Sequence, residues 1–348
     1  MRFFLTSLLT VVFNLQIIAQ GCCSGGAGSP IAGGAATGVL QKYQMELSIN
    51  FQNNSSNKFY TKDEGTDPLF NNLKTNYLFF RTDYGVTKKL TISLAAGYYQ
   101  TKSLEDDNES ASFSSKGFGD FIIFPRYSVY NKNTNFKRTE IAIGVGMKIP
   151  LGTHKDSTLT TPASSWAPGF PVKDIYQLNP PTVQTTTGSN DLMLYSFLFR
   201  EYQKRKLRLF MTTLYMKKSY NSLDIKFGDY ASLGLFVSKT VFRKWAVTTQ
   251  LKLEHVDKIQ SGYKTPTEKI NLLASYSIDA NSTGSNKAFF IPQLSYSNNG
   301  ITVFATSEIP MYQYLHGTQI GSQNQFTFGV NYRFLTKECE SETFRLLE

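Results

Sequence analysis

Residue types that define several common protein classes are scarce in this chain. Among its 348 residues are three cysteines, three histidines and two tryptophans. Three cysteines exclude a disulfide framework for a chain of this length. The histidines and acidic residues show no spacing typical of a zinc site. We therefore expect neither a disulfide-stabilised secreted domain nor a zinc enzyme, and the sequence predicts no cofactor.

Long apolar runs are also scarce. One mainly apolar stretch, residues 3–13, follows the positive charge of Arg2 and precedes the small residues Ala19 and Gly21. This order is typical of a secretory signal peptide, so we predict that residues 1–20 direct export. A membrane-spanning helix needs about twenty apolar residues, and polar side chains interrupt this stretch earlier. The destinations left open are the periplasm, the medium and the outer membrane.

The chain is rich instead in alternating apolar and polar residues. The pattern recurs in twelve segments of roughly ten residues, a length that lets a tilted strand cross the hydrocarbon layer. It is clearest at 325–334, where one face would carry Phe326, Phe328, Val330, Tyr332 and Phe334. Strands of soluble sandwiches are usually about five or six residues long, so the segment length favours a membrane protein.

The spacing of these segments predicts a topology. We predict strands at 41–52, 74–86, 90–101, 118–130, 137–149, 190–202, 207–217, 229–240, 245–256, 288–297, 301–309 and 324–334. The connections alternate between tight turns and long loops, and the long ones are 53–73, 102–117, 150–189, 218–228, 257–287 and 310–323. One tight turn contains Asn299-Gly300, a strong hairpin signal.

An even strand count, short periplasmic turns and long external loops characterise bacterial outer-membrane barrels. The sequence therefore predicts an all-β fold, a transmembrane antiparallel up-and-down β-barrel of about twelve strands, within a range of ten to fourteen. Both termini would lie in the periplasm of a cell with an outer membrane. The inward and outward faces separate clearly at 90–99, 140–149 and 245–254, whereas 190–202 and 288–297 are ambiguous.

The barrel is predicted to span residues 41–334, between an N-terminal arm at 21–40 and a periplasmic tail at 335–348. Residues 21–38 include seven glycines and four alanines, too little side chain to fold alone. This arm is either a plug for the lumen or a disordered tail. Cys22 and Cys23 are weak candidates for binding a soft metal such as Cu(I), and Cys22 for carrying a lipid.

Charged and aromatic residues at inward positions are the candidates for lining a pore or binding a solute. They are Tyr77, Phe79, Arg81, Asp83, Tyr99, Asp120, Arg126, Glu140, Lys148 and Asp191. Interior charges of a barrel either line a wet channel or pair with one another across it. The alternative for each charged residue is that it forms an ion pair with a purely structural role.

Several motifs resemble a known family. They are GFGD at 117–120, KIPLG at 148–152, GSND at 188–191 and the closing stretch IPMYQYLHGTQIG at 309–321. In this order they resemble the outer-membrane transporters associated with the meta pathway of phenol degradation, which are loosely related to long-chain fatty-acid channels. The resemblance covers about residues 118–334. It implies a barrel that carries hydrophobic compounds, and by analogy a lumen closed by an N-terminal segment.

These observations predict a channel or transporter for small hydrophobic or aromatic molecules. The alternative is a non-transporting barrel that serves as a structural or docking component, with its arm available to a periplasmic partner. Lipid and lipopolysaccharide are expected partners, since the formal net charge is +10, whereas nucleic acid is not. We expect no enzymatic activity, because His154, His255 and His316 are scattered, although a Ser-His pair can be assembled by the fold.

Overall fold

The computed structural model describes residues 38–68, 70–105, 112–134, 136–161, 174–242, 244–261 and 280–337. The predicted signal peptide, most of the predicted arm and the end of the predicted tail lie outside these ranges. Within them, no helix is long and apolar enough to cross a membrane.

Twelve long strands form the body of the molecule. They are β1 Gln44–Ser56, β2 Asn72–Gly85, β3 Leu90–Glu105, β4 Phe113–Thr134, β5 Lys137–Pro150, β6 Asp191–Tyr202, β7 Leu207–Lys217, β8 Tyr230–Thr240, β9 Trp245–Val256, β10 Ser285–Asn298, β11 Ile301–Ile320 and β12 Gln325–Leu335. Each strand pairs antiparallel with the next in the chain, and β12 pairs with β1 from Gln44↔Leu335 to Asn53↔Phe326. The sheet therefore closes into the predicted twelve-stranded barrel, with all of its strand edges paired over this span.

The turn at Asn299-Gly300 has the hairpin backbone that its sequence indicates. Asn299 and Gly300, between β10 and β11, have φ angles of 47° and 81°. A two-residue hairpin turn with both central residues at positive φ matches the twist of the flanking strands, and Asn-Gly adopts it at low cost. Short strands occupy the opposite end of the barrel, at Phe59–Lys62, Glu64–Thr66, Ser157–Thr161 and Ile175–Leu178.

Side-chain exposure confirms the assignment of the two faces. On β5 the outward residues Ile143, Val145 and Met147 are about half exposed, whereas the inward residues Glu140 and Lys148 are buried. Alternation of this kind, with the apolar side chains outside, is the reverse of a soluble core and suits a lipid environment.

The two strands with ambiguous sequence patterns have apolar residues on both faces. On β6, Met193, Tyr195 and Phe197 point inward and are buried, while Leu192 and Leu194 are exposed on the outside. Period-two alternation cannot separate two apolar faces, so only the closed sheet decides which side chains enter the barrel.

Several strands are longer than predicted, and the differences are largest for β4 and β11. β11 continues through 310–320, a stretch predicted to be loop, because β10 pairs with it as far as Leu315 and the short strand Phe59–Lys62 pairs with its far end. β4 begins within the predicted loop 102–117 and ends within the predicted turn after residue 130. The ends of β4 pair with the neighbouring strands β3 and β5, whereas the far end of β11 pairs with a segment distant in the chain. In both cases pairing extends the strand where the local sequence alternates weakly.

Charged replacements on the outer face should reveal the membrane span. We expect Leu94→Arg and Val145→Arg to lower the free energy of unfolding by roughly 2–4 kcal/mol, because arginine is costly within the hydrocarbon layer. Val129→Arg is the control, since Val129 is equally exposed but lies near the periplasmic end of β4, where the cost falls to about 0–1 kcal/mol. Chemical denaturation in lipid vesicles measures all three. Equal costs for Val145→Arg and Val129→Arg would contradict the predicted depth.

Candidate functional site: the barrel lumen

A buried charge network occupies the periplasmic end of the lumen. Arg81 Nε lies 2.8 Å from Asp83 Oδ2, and Arg81 Nη2 lies 3.2 Å from Glu46 Oε1. Arg126 Nη2 contacts the other oxygen of Asp83 at 2.7 Å, and Ser93 donates a hydrogen bond to the same oxygen. Three residues predicted from the sequence to line a pore therefore compensate one another here. Removing one member would leave a buried charge, which is far costlier than losing an exposed ion pair.

The last residues of the predicted arm lie against this network, inside the barrel. We call residues 38–40 the strap. Inward side chains of β3, β4 and β5 form three hydrogen bonds with the main chain of the strap. Arg126 Nη1 donates to Gly38 O at 2.9 Å. The main-chain N–H groups of Val39 and Leu40 donate to Glu140 Oε1 and Thr91 Oγ1, each at 2.8 Å. Three consecutive backbone groups thus lie in a site shaped for an extended chain.

The strap approaches the barrel wall so closely at Gly38 that there is no room for a side chain at this position. A Cβ atom at this position would lie 2.6 Å from Glu140 Oε1 and 3.0 Å from the ring of Phe197. Glu140 is held in place by Arg138, whose Nη2 atom lies 2.7 Å from Glu140 Oε2. The role of Glu140 in this structure is therefore to bind the strap.

A second charge network lies toward the external end. Lys148 Nζ lies 2.8 Å from Asp191 Oδ2 and 3.1 Å from Asp120 Oδ2. Lys218 Nζ also contacts Asp191, at 3.0 Å. Burial lowers the pKa of Lys218, and the neighbouring Lys148 ammonium lowers this pKa further, against the opposing effect of Asp191 and Asp120. The predicted residues Asp120, Lys148 and Asp191 are thus brought together into one cluster.

Part of the long loop at 150–189 folds into this end of the barrel. Val183 is fully buried, Thr186 hydrogen-bonds Asp120, and Thr187 Oγ1 accepts a hydrogen bond from Lys148 at 2.8 Å. The sequence of this loop, which is rich in proline and threonine, does not by itself show whether the loop enters the lumen. Its described residues 179–189 are mostly buried, so they narrow the external mouth.

An apolar surface lies between the two charge networks. We call it the apolar sector; it comprises buried inward side chains of β2 to β8, namely Tyr77, Phe79, Ala95, Tyr99, Ile122, Phe124, Ala142, Met193, Tyr195, Phe197, Phe199, Phe210, Leu214, Met216 and Tyr230. The predicted residues Tyr77, Phe79 and Tyr99 belong to it, and the rings of Tyr77 and Tyr99 lie 4.5 Å apart.

Glycines allow several rings of the apolar sector to lie along the wall. A Cβ atom on Gly97 would overlap the ring of Tyr77, and one on Gly146 would overlap the ring of Phe124. Rings that lie on inward glycines take up less of the barrel's width than rings that project across it. The glycines of β3 and β5 thus have a packing role.

The barrel wall has a groove where β11 and β12 separate. These strands pair only from Ile301↔Tyr332 to Glu308↔Gln325, while β11 continues to Ile320. A groove of about 640 Å³ lies beyond this point, lined by Pro310, Tyr312, Ser322 and Gln323 among others. Ser322 accepts a hydrogen bond from Lys287 Nζ, an inward group of β10, at 2.9 Å. The floor of the groove is therefore also part of the lumen wall.

Sequence reasoning missed Glu46 and the cluster of Lys252, Glu254 and Glu308. Lys252 Nζ lies 2.7 Å from Glu308 Oε1 and 3.3 Å from Glu254 Oε2. Period-two counting along β1 and β9 places Glu46, Lys252 and Glu254 inward, so the signal was present. Glu308 lies near the end of the predicted strand 301–309. Its contact with Lys252 on β9 forms only when the sheet closes, so the sequence pattern could not reveal it.

One serine and one histidine meet at the external rim. His154 Nε2 lies 2.8 Å from Ser222 Oγ. Among the described residues, no third side chain orients this histidine as in a catalytic triad. The described residues also contain no cluster of three or more histidine, cysteine or acidic side chains that fits a metal ion, and Cys22 and Cys23 lie outside them. The expectation that the chain is not an enzyme stays a prediction.

Comparison with known proteins supports the fold. The barrel is similar to an outer-membrane channel of Pseudomonas putida F1, with 11% identity, a TM-score of 0.60, and coverage of 86% of this chain and 100% of that one. A Pseudomonas aeruginosa FadL homologue aligns at 9% identity and a TM-score of 0.35, over 86% and 91% of the two chains. No protein-family model and no curated protein matches the sequence. The chain therefore has the fold of an outer-membrane β-barrel, and the resemblance to phenol-pathway transporters is not confirmed by a family match.

Displacing the strap should open the periplasmic end. We expect Gly38→Val to raise single-channel conductance, because the added side chain would collide with Glu140 and Phe197. Gly65→Val is the matched control, since a Cβ at Gly65 meets no atom within 4 Å. Planar-bilayer recordings measure both, with heat-modifiable migration on gels as the check of folding. Unchanged conductance for Gly38→Val would show that the strap does not restrict the pore.

Proposed function

We propose that this protein is an outer-membrane channel for small apolar or aromatic molecules. The observation that carries the proposal is the apolar sector, because a wall of phenylalanine, methionine and tyrosine stabilises apolar groups and offers no stabilisation to a small ion. Binding sites for small molecules commonly combine such walls with a few polar groups. The P. putida protein of similar fold is described as a channel, and the motif resemblance to phenol-pathway transporters points to the same class of solute.

The distribution of charge supports passage of neutral solutes. Inward charges at both ends form ion pairs, as in the contacts of Arg81 with Glu46 and of Lys148 with Asp191, whereas the inward Lys287 binds the hydroxyl of Ser322. Oppositely charged neighbours largely cancel each other's electrostatic potential in the lumen, although the formal net charge of the whole chain is +10. An apolar molecule would therefore meet no unfavourable long-range charge.

The strap and the loop at 179–189 narrow the lumen at its two ends, so passage along the axis requires movement. The groove between β11 and the segment at 321–324 is a second route, because its floor residue Ser322 is shared with the lumen. An apolar solute leaving through the wall would enter the membrane directly and avoid water.

The second candidate is a structural or docking barrel that does not transport. It is favoured by one observation, the buried ion pairs of Arg81 and Arg126, which hold the periplasmic end rigidly. Buried pairs of this kind also occur where they only specify a fold.

Uptake measurements distinguish the two candidates. We expect Leu214→Gln to lower uptake of a radiolabelled aromatic hydrocarbon such as toluene, because an amide would interrupt the apolar sector. Leu233→Gln is the control, since Leu233 lies one strand away and points outward. The assay compares each variant with a strain that lacks the gene. Uptake in that strain equal to the parent's would remove the transport proposal and leave the structural one.

A further inference from the structure

The inner wall opposite the apolar sector is lined by amide side chains. Five inward residues of two neighbouring strands form what we call the amide track, Asn50, Gln52 and Asn54 on β1 with Gln325 and Asn331 on β12. All five are at least nine-tenths buried. The sequence between Ser48 and Ser56 contains no charged residue, and neither does that between Gln325 and Tyr332. A neutral hydrogen-bonding strip therefore runs along this part of the wall.

The barrel places this strip across from the apolar sector. In a closed sheet of twelve sequentially paired strands, β7 is diametrically opposite β1, and β6 is opposite β12. β6 and β7 contribute Met193, Tyr195, Phe197, Phe210 and Leu214 to the apolar sector. With strands about 4.8 Å apart and tilted by about 40°, such a barrel is roughly 24 Å wide between backbones. Amide groups and apolar groups therefore face one another across the lumen.

The amide track also has unused hydrogen-bonding capacity. The side-chain oxygens of Asn54 and Asn331 are buried and have no hydrogen-bond partner among the described residues. Gln323 Oε1, at the floor of the wall groove, is also buried and has no hydrogen-bond partner among the described residues. Leaving a buried acceptor unpaired is unfavourable, so a bound group that donates a hydrogen bond would be stabilised here.

These observations define the chemistry of the solute more narrowly than the apolar sector alone. We propose that the lumen binds neutral molecules with an apolar body and a hydroxyl or N–H donor, oriented with the donor on the amide track and the body on the apolar sector. The inference rests on the proposed function. A hydrocarbon would leave the amide oxygens unpaired. A carboxylate would place its negative charge against the carbonyl oxygens of Asn54 and Asn331, which repel it.

Asn54 and Asn331 lie six positions apart in the register, since Asn331 pairs with Ser48. At about 3.3 Å per residue the two acceptors are roughly 20 Å apart, too far for one small molecule to contact both. The track therefore provides successive sites along the barrel, and each site needs to bind only weakly for a solute to move on.

The test compares three probes that share one ring: benzyl alcohol, toluene and benzoate. Binding to the purified full-length barrel in deuterated detergent is titrated by saturation-transfer NMR. We expect the wild-type protein to bind benzyl alcohol more tightly than toluene or benzoate. The two acceptors belong to separate sites, so the test uses the double variant Asn54→Leu/Asn331→Leu. It should weaken benzyl alcohol binding roughly five- to tenfold and leave toluene binding within about twofold, because leucine keeps the branched shape of asparagine but has no hydrogen-bond acceptor.

Asn53→Leu is the matched control, because Asn53 precedes Asn54 on β1 and points out of the barrel. Equal wild-type affinity for benzyl alcohol and toluene, or tightest binding of benzoate, would overturn the inference, and neither result needs a variant to fold. In both cases the apolar sector would still bind a ring, so the proposed function would stand. Failure of all three probes to bind, together with unchanged toluene uptake in Leu214→Gln, would instead remove the proposed function.

Discussion

The closed hydrogen-bond ladder is the constraint on which the rest of this structure depends. Within hydrocarbon no solvent can pair with a backbone N–H or C=O group, so a sheet that crosses it must have no free edge. Pairing of β12 with β1, and of β11 with both β10 and β12, satisfies that condition. The condition lapses beyond Glu308, where β11 leaves β12, and the wall groove occurs there. The position of the proposed side exit thus follows from where closure ends.

Closure also determines what lies inside. Inward side chains can fill a barrel of eight strands, but a barrel of twelve strands is wider. Its interior can therefore carry distinct surfaces at different heights and on different sides. Paired charges and the strap occupy the periplasmic end, a second charge cluster and a folded loop occupy the external end, and the apolar sector and amide track face one another between them. Each cation near the strap is balanced by a neighbouring carboxylate, as Arg126 is by Asp83. This pairing of charges is one of the grounds on which we propose a neutral solute.

The candidate residues show which features of the site a local sequence pattern can predict and which it cannot. Period-two counting placed Arg81, Asp83 and Arg126 on the inner wall, and all three are buried there. It could not show that Arg126 binds the main chain of Gly38, because those residues are 88 positions apart and meet only when the arm enters the barrel. It did not single out the amides of β1, and it assigned Asn54 to the predicted loop 53–73. Their significance comes from the strands opposite them, which no local pattern contains.

The amino-acid sequence by itself determined the barrel class, the strand number and, on the clearly alternating strands, the side chains that face lipid, since alternation and turn chemistry act over a few neighbouring residues. Asn299-Gly300 is an example, because its turn follows from the conformational freedom of those two residues. The tertiary structure decided the length of β11, the inward face of β6 and the partners of every interior charge. These features depend on contacts between strands far apart in the chain, and closing the sheet is the physical step that brings those strands together.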